Sequence, residues 1–146
     1  MMIRRACYDD IDAMAGLLSE LFGIEDDFLI DTDKQIRGLT LLLQNSAATV
    51  LVAEVEGRVI GMVSMQSLIS TAMGEKVGLI EDMIVTADFR GKGIGRLLLM
   101  GMIEESERLG YGRLSLGADR RNSPALCFYK TFGFETSNMG LMYRIV

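Results

Sequence analysis

A glycine-rich hexapeptide, Arg90–Gly95, carries the clearest chemical pattern in this chain of 146 residues. Glycine tolerates positive φ and lets a ligand come close to the backbone. Ahead of a helix, such a segment combines free N–H groups with the positive end of the helix dipole, and both favour a phosphate group. Arg90, Lys92 and Arg96 add positive charge around it. The segment therefore predicts a phosphate or pyrophosphate site, with a plain tight turn as the structural alternative.

Two other phosphate-binding motifs can be compared with the same residues. The P-loop string G-x-x-x-x-G-K-[ST] occurs nowhere in the chain. The dinucleotide fingerprint G-x-G-x-x-G, started at Gly91, requires glycine at position 96, where the chain has Arg96. Asp119, after the next predicted strand, is placed like the acid that binds a dinucleotide ribose, so a nucleotide-binding oxidoreductase stays open as an alternative.

The chain contains no histidine, and this restricts its chemistry more than any motif does. Ser-His-Asp and Cys-His nucleophiles and imidazole acid–base catalysis are excluded. Two cysteines, Cys7 and Cys127, cannot form a four-thiolate zinc site, so we expect no metal. Any proton transfer must therefore use a carboxylate, a tyrosine, a lysine, a cysteine or water.

The elements that position these residues follow from the spacing of apolar side chains and from turn signals. The predicted order is β-α-α-β-β-β-α-β-α-β-β, and because hairpins and crossovers both occur, the sheet should be mixed. Helices are predicted over Tyr8–Phe22, Asp33–Asn45, Gly93–Leu109 and Ser123–Phe132. Strands are predicted over Met2–Ala6, Thr49–Glu56, Arg58–Ile69, Val77–Thr86 and Arg113–Ala118, with one or two more in Phe134–Val146.

Composition is typical of one folded domain over residues 1–146, with 49% hydrophobic and 24% charged residues. No linker, repeat or low-complexity segment divides it. The net charge of −5 argues against a nucleic-acid partner. No apolar run approaches the roughly 20 residues of a membrane span, and the N-terminus lacks the apolar core of a signal peptide. We therefore expect a cytoplasmic protein without a membrane partner.

Two motifs together resemble the GNAT superfamily of N-acetyltransferases, which bind acetyl-CoA. Arg90–Gly95 matches [Q/R]-x-x-G-x-[G/A], and Asn122–Phe134 matches N-x-x-A-x-x-[FL]-Y-x-x-x-G-F. The predicted order of elements is also similar to that family's order. The resemblance implies an α+β fold of three layers. Its central, mostly antiparallel mixed sheet would have seven strands, including a splayed pair of parallel strands, with about four helices.

The resemblance also implies how acetyl-CoA would bind. Amides of the glycine segment would hold the pyrophosphate, and one strand would pair through its backbone with the pantetheine arm, like an added strand. Strands Val77–Thr86 and Arg113–Ala118 should part to admit the thioester. The implied cofactor-binding residues are Met83, Ile84, Val85, Arg90, Gly91, Lys92, Gly93, Ile94, Gly95, Arg96 and Asn122, the last bonding pantetheine or the nearby backbone.

The resemblance places Tyr129 near the sulfur, as the acid that protonates the leaving thiolate; packing in the core is the structural alternative. An amine must lose a proton before it attacks, which requires a base. Glu81 is the predicted base, with the adjacent Asp82 or a water relay as alternatives, because acids in an apolar strand are costly unless used or paired. An ion pair of this acid with Arg113 or Lys76 would also explain it.

The acceptor of the acetyl group is predicted only by charge. An acidic loop, consisting of Glu25, Asp26, Asp27, Asp31 and Asp33, would attract a cationic amine of a small molecule or peptide, although these acids could instead cap two helices. The expected reaction is direct attack by the amine in a ternary complex. A non-catalytic module that senses acetyl-CoA is the alternative. The apolar terminal strands also permit a homodimer.

Overall fold

A single sheet of five strands, in the spatial order β1-β2-β3-β4-β5, forms the centre of the protein. The structure is a computed structural model that describes residues 1–146. The strands are Met2–Arg5 (β1), Ala48–Val55 (β2), Arg58–Ser70 (β3), Glu75–Val85 (β4) and Leu114–Leu116 (β5). The helices are Ile11–Ile24 (α1), Thr32–Gln44 (α2), Ile94–Arg108 (α3) and Ser123–Lys130 (α4). Single 3-10 turns occupy Tyr8–Asp10 and Ala87–Phe89.

Helices cover both faces of the sheet, which gives three layers. On one face, α1 and α2 pack against inward side chains of β2, β3 and β4, and Met14, Leu39 and Met62 are at most 2% exposed there. On the other face, α3 buries Leu98 and Met102 against the sheet, and aromatic residues of α4 lie at the edge of that cluster. The apolar periodicity of the helices is satisfied by these two cores.

Neighbouring strands are antiparallel except for β4 and β5, which run parallel. This confirms the predicted mixed α+β arrangement and the four helices. None of the helices is both long enough and apolar enough to cross a membrane.

The predicted seven-stranded sheet is wrong, because Phe134–Val146 contains no strand. β5 is also shorter than the predicted Arg113–Ala118 and consists of three residues. So short a strand offers little free edge for a further strand to pair with, and a strand forms only where its N–H and C=O groups find partners. Met142 and Ile145 are accordingly 96% and 92% exposed.

Candidate active site

The glycine loop, defined here as Arg90–Gly93, joins the 3-10 turn Ala87–Phe89 to the start of α3. Gly91 and Gly93 have φ of 74° and 80°, in the left-handed region that glycine adopts without strain. The N–H groups of residues 91–93 donate to no acceptor of the protein. The first N–H groups of α3 have no partner within the helix either. The loop therefore presents a row of free donors, which suits an anion.

Gly95, in the first turn of α3, allows this helix to lie close to β4. A Cβ atom at this position would lie 3.3 Å from Cε of Met83 and 3.9 Å from Cγ2 of Val85. The first of these contacts is tighter than ordinary van der Waals packing. The free N–H groups at the start of α3 are consequently held beside the last residues of β4.

Positive side chains surround the glycine loop, but they are not equivalent. The ammonium of Lys92 lies 5.1 Å from the ring centroid of Phe89, and the guanidinium of Arg96 lies 5.1 Å from that of Phe132. Neither side chain has a carboxylate partner. The side chain of Arg90 is occupied, because its Nε donates to the carbonyl of Val85 at 2.7 Å. Among the cations of the loop and of α3, Lys92 and Arg96 are left free for a ligand.

β4 and β5 pair over only three positions, from Gly78–Leu114 to Ile80–Leu116. Beyond Ile80, β4 continues to Val85 with β3 as its only neighbour. The edge of Glu81–Val85 that faces away from β3 therefore has no strand partner. An extended ligand can pair with such an edge through backbone hydrogen bonds. Met83, Ile84 and Val85, the predicted pantetheine contacts, belong to this stretch of β4, where the carbonyl of Val85 already accepts from Nε of Arg90.

A β-bulge interrupts β4 at the start of the open edge. Ile84 is opposite Met62 and Glu81 is opposite Ser64, so two residues of β4, Asp82 and Met83, face one residue of β3. Asp82 has a φ of 56°, which is unusual for a residue with a side chain. The bulge ends the simple alternation of the strand, so alternation cannot decide which of the two adjacent acids faces the cleft.

The acids around the bulge interact with one another and with Tyr129. Burial first, and then the charges of Glu81 and Glu25, raise the pKa of Asp82 to about 6. Burial first, and then the charges of Asp119, Asp27 and Glu81, raise the pKa of Glu25. Burial and the charge of Glu25 raise the pKa of Tyr129 to about 12. Glu25, directly after α1, therefore shares one electrostatic environment with the acids of β4 and with Tyr129 of α4.

Tyr129, on α4, lies between the aromatic rings of Phe128 and Phe134. Its ring centroid is 5.3 Å from that of Phe128 and 6.1 Å from that of Phe134, both nearly edge-to-face. Its hydroxyl makes no hydrogen bond with the protein, so it can donate to a ligand.

Asn122 begins this helix: its side-chain oxygen accepts from the N–H of Ala125 at 3.1 Å. The side chain of Asn122 therefore bonds to nearby backbone, one of its two predicted roles, and its amide nitrogen stays free.

The acidic loop divides into residues with different partners. Asp31 caps α2, since its carboxylate accepts from the N–H of Lys34 at 3.2 Å. Asp26 forms an ion pair with Arg121 at 2.6 Å, and Arg121 also pairs with Asp119. Glu25 is the member whose charge reaches the bulge and Tyr129. The sequence predicted the acidic loop, but it did not show which of these acids have partners and which one lies near the bulge.

The family follows from a match that spans most of the chain. Residues 12–134 match the sequence model of the acetyltransferase (GNAT) family. The chain belongs to this family. The predicted superfamily and enzyme class, an acyltransferase, are thereby confirmed.

Individual relatives and structures agree with this assignment to the GNAT family. An uncharacterized N-acetyltransferase of Methanocaldococcus jannaschii is 30% identical over 135 residues, which are 91% of this chain and 60% of that protein. Another, from Archaeoglobus fulgidus, is 30% identical over 131 residues, 88% of this chain and 89% of that protein. The chain thus spans little more than half of the first relative and most of the second.

The crystal structure of a predicted acetyltransferase from Clostridium acetobutylicum with acetyl-CoA has the same fold. Its TM-score is 0.82, with 19% identity, and the superposition covers 98% of this chain and 95% of that one. GNAT acetyltransferases use acetyl-CoA, and the glycine loop and open edge of this GNAT chain fit that cofactor in their free N–H donors and unpaired strand backbone.

Proposed function

We propose that this GNAT protein transfers an acetyl group from acetyl-CoA to a primary amine by direct attack in a ternary complex. The observation that carries the proposal is the open edge of Glu81–Val85, which runs from the acids of the bulge to the segment that leads into the glycine loop. One continuous surface thus offers free backbone to a pantetheine arm and free N–H donors to a pyrophosphate. The chemistry would take place at the end nearest the acids.

The cofactor would be held mainly by backbone groups. The N–H groups of residues 91–96 bind the pyrophosphate, with Lys92 and Arg96 adding charge. Met83–Val85 pair with the pantetheine arm, and a backbone N–H of this segment polarises the thioester carbonyl, as an oxyanion hole does. Most of the acceleration would come from holding the amine and the thioester in line.

A carboxylate of the bulge would accept the proton from the attacking amine. Glu81 is our proposed base, and Asp82 is the second candidate. Two observations favour Asp82 as a rival: its position at the bulge, and its pKa of about 6, which makes it a stronger base than an ordinary aspartate while leaving it ionised at neutral pH. The residue that accepts the proton passes it to solvent before the next turnover.

Tyr129 would assist the departure of the thiolate. The amine nitrogen bonds to the carbonyl carbon, the carbon–sulfur bond breaks, and the phenol proton goes to the sulfur, after which solvent restores the phenol. With a pKa of about 12, this phenol is protonated throughout the neutral range and is always available as a donor. The same pKa makes complete transfer of the proton to a free thiolate unfavourable, because a thiolate, with a pKa of about 8.5, is the weaker base. The hydrogen bond from Tyr129 must therefore stabilise the sulfur while its negative charge develops.

The acceptor would carry a positive charge. Glu25, Glu81 and Asp82 place negative charge beside the open edge, and none of the three forms an ion pair with an arginine or lysine. A cationic small molecule or a peptide amine would therefore be drawn to this end of the cleft.

Cytoplasmic location and a dimer stay predictions, and the terminal strands that suggested the dimer are not formed.

Thermal unfolding in the presence of acetyl-CoA, CoA, NAD and ATP tests the cofactor first. A ligand at 100 times its Kd stabilises the folded protein by about 2.7 kcal/mol. We expect acetyl-CoA and CoA to raise Tm, whereas a shift with NAD alone would favour the oxidoreductase alternative. A screen of amines for CoA release then separates an enzyme from a non-catalytic sensor, which would bind acetyl-CoA without turnover.

A further inference from the structure

Glu20, on α1, makes three contacts with the segment that leads from β4 into the glycine loop. Its Oε2 accepts from the hydroxyl of Thr86 at 2.7 Å, and its Oε1 accepts from the N–H of Ala87 at 3.2 Å. The same Oε1 lies 3.7 Å from a terminal nitrogen of Arg90. One carboxylate thus joins α1 to a segment 66 to 70 residues later in the chain, and no sequence motif marked it.

These contacts supply hydrogen-bond acceptors that Thr86–Phe89 lacks within its own residues. Ala87 opens the 3-10 turn, whose first N–H groups need an acceptor. Thr86 is the residue before this turn, but its hydroxyl makes no capping hydrogen bond and donates to Glu20 instead. At the other end of the turn, Nε of Arg90 donates to the carbonyl of Val85. Glu20 and Arg90 therefore fix both ends of Val85–Arg90.

The loop that follows has two glycines at positive φ, and glycine loses more conformational freedom on ordering than other residues. A loop that is ordered only when the ligand arrives weakens binding by the entropy lost. Fixing the segment immediately before Gly91 limits the conformations of the loop in the free protein.

We propose that Glu20 is a positioning residue for the pyrophosphate: by holding Thr86, Ala87 and Arg90, it presets the free N–H donors of the glycine loop. The inference rests on the proposed binding of acetyl-CoA. Electrostatics alone predicts the opposite effect, because a carboxylate near a bound pyrophosphate repels it. The sign of the effect of removing Glu20 therefore separates positioning from simple charge.

Titration calorimetry with CoA and with pantetheine, which lacks the pyrophosphate, tests this role. We expect Glu20→Ala to weaken CoA binding about tenfold, as loss of charge-assisted hydrogen bonds does. Glu20→Gln and Thr86→Val, which keep part of the contact, should weaken CoA binding less. Pantetheine binding should be unchanged in all three. Glu107→Ala, which removes an exposed carboxylate from α3 that makes no side-chain hydrogen bond, is the matched control.

Kinetics provide a second measurement. The KM for acetyl-CoA should rise in the Glu20 variants while kcat at saturating acetyl-CoA stays near the wild-type value. Unchanged or tighter CoA binding by Glu20→Ala, or equal weakening of CoA and pantetheine, would overturn the inference. If Glu20→Ala does not fold, Glu20→Gln and Thr86→Val decide the outcome. If the wild-type protein does not bind CoA, the proposed function fails together with this inference; if it binds and the variants match it, only this inference fails.

Discussion

The hydroxyl of Ser64, which is 1% exposed on β3, donates to the carbonyl of Glu81 on β4 at 3.1 Å. This bond lies at the β-bulge, where the regular strand pairing is interrupted. A buried serine thus supports the backbone that carries the two candidate bases.

Replacing this serine is expected to affect catalysis more than folding. Ser64→Ala should lower the free energy of unfolding by about 1 kcal/mol, the usual net value of one hydrogen bond. We expect kcat to fall several-fold, with little change in the KM for acetyl-CoA, because the bulge positions the base. Ser67→Ala on the same strand, whose hydroxyl makes no hydrogen bond, is the control. Equal losses of kcat in both variants would contradict this role.

The identity of the base can be decided from the pH dependence of kcat/KM. If Asp82 accepts the proton, kcat/KM of the wild type should fall below about pH 6, where the carboxylate becomes protonated. Glu81→Gln would then retain most of the activity, and Asp82→Asn would lose about 100-fold or more. The reverse pattern would assign the role to Glu81. Similar rates in both variants would point to a base outside the pair.

Asp82 should also destabilise the folded protein at neutral pH. Because its pKa is about 6 when folded and about 3.9 when unfolded, the folded state binds more protons between these values. Stability from this group is therefore highest below pH 4 and is lost as the pH rises towards 6. Asp82→Asn should raise the free energy of unfolding at pH 7 by at most about 3 kcal/mol. Urea denaturation of both proteins at pH 4 and pH 7 measures the difference, which should nearly vanish at pH 4.

Tyr129→Phe removes the phenol but keeps the aromatic packing against Phe128 and Phe134. We expect kcat to fall about 100-fold or more, since general acid catalysis contributes that much, while Kd for CoA stays unchanged. Tyr111→Phe, at the edge of the same core, is the control. Wild-type kcat in Tyr129→Phe would leave the tyrosine with a packing role only.

The charge of the cleft predicts how acceptors are selected. Glu25→Gln should raise the KM of an amine with two positive charges several-fold. The KM of a primary amine that carries no second charge should stay nearly unchanged. The effect should diminish as salt is added, because ions screen the attraction. Glu107→Gln, which removes an exposed acid of α3 outside the acidic loop, is the control. A KM that does not respond to ionic strength would argue against a cationic acceptor.

Features with a local signal could be predicted from the sequence, and features made by distant contacts could not. The glycines and apolar periods placed the start of α3 at Ile94 within one residue, and the hairpin at Glu56–Gly57 was located correctly. One or two strands were predicted in Phe134–Val146, but pairing depends on an available edge, which three-residue β5 barely offers. The contact from Glu20 to Thr86 leaves no trace in either local sequence.

The site shows the same division. The glycine loop was predicted from its residue types ahead of a helix, the role of Tyr129 from the resemblance to the GNAT family, and the acid pair from the cost of acids in an apolar strand. Which acid faces the cleft depends on a bulge defined by pairing with β3, and the role of Glu25 depends on where the end of α1 lies. The individual site roles stay predictions until the variants are measured.

The carboxylate on α1 that serves Thr86 and Ala87 has an evolutionary consequence. Positions 20 and 86 are joined by one hydrogen bond, so we expect the effects of substitutions at the two positions to be coupled. Relatives that lose the acid at position 20 are expected to lose the hydroxyl at position 86 as well. A chimera that receives Arg90–Gly95 without this acid would acquire the motif but not the ordered loop.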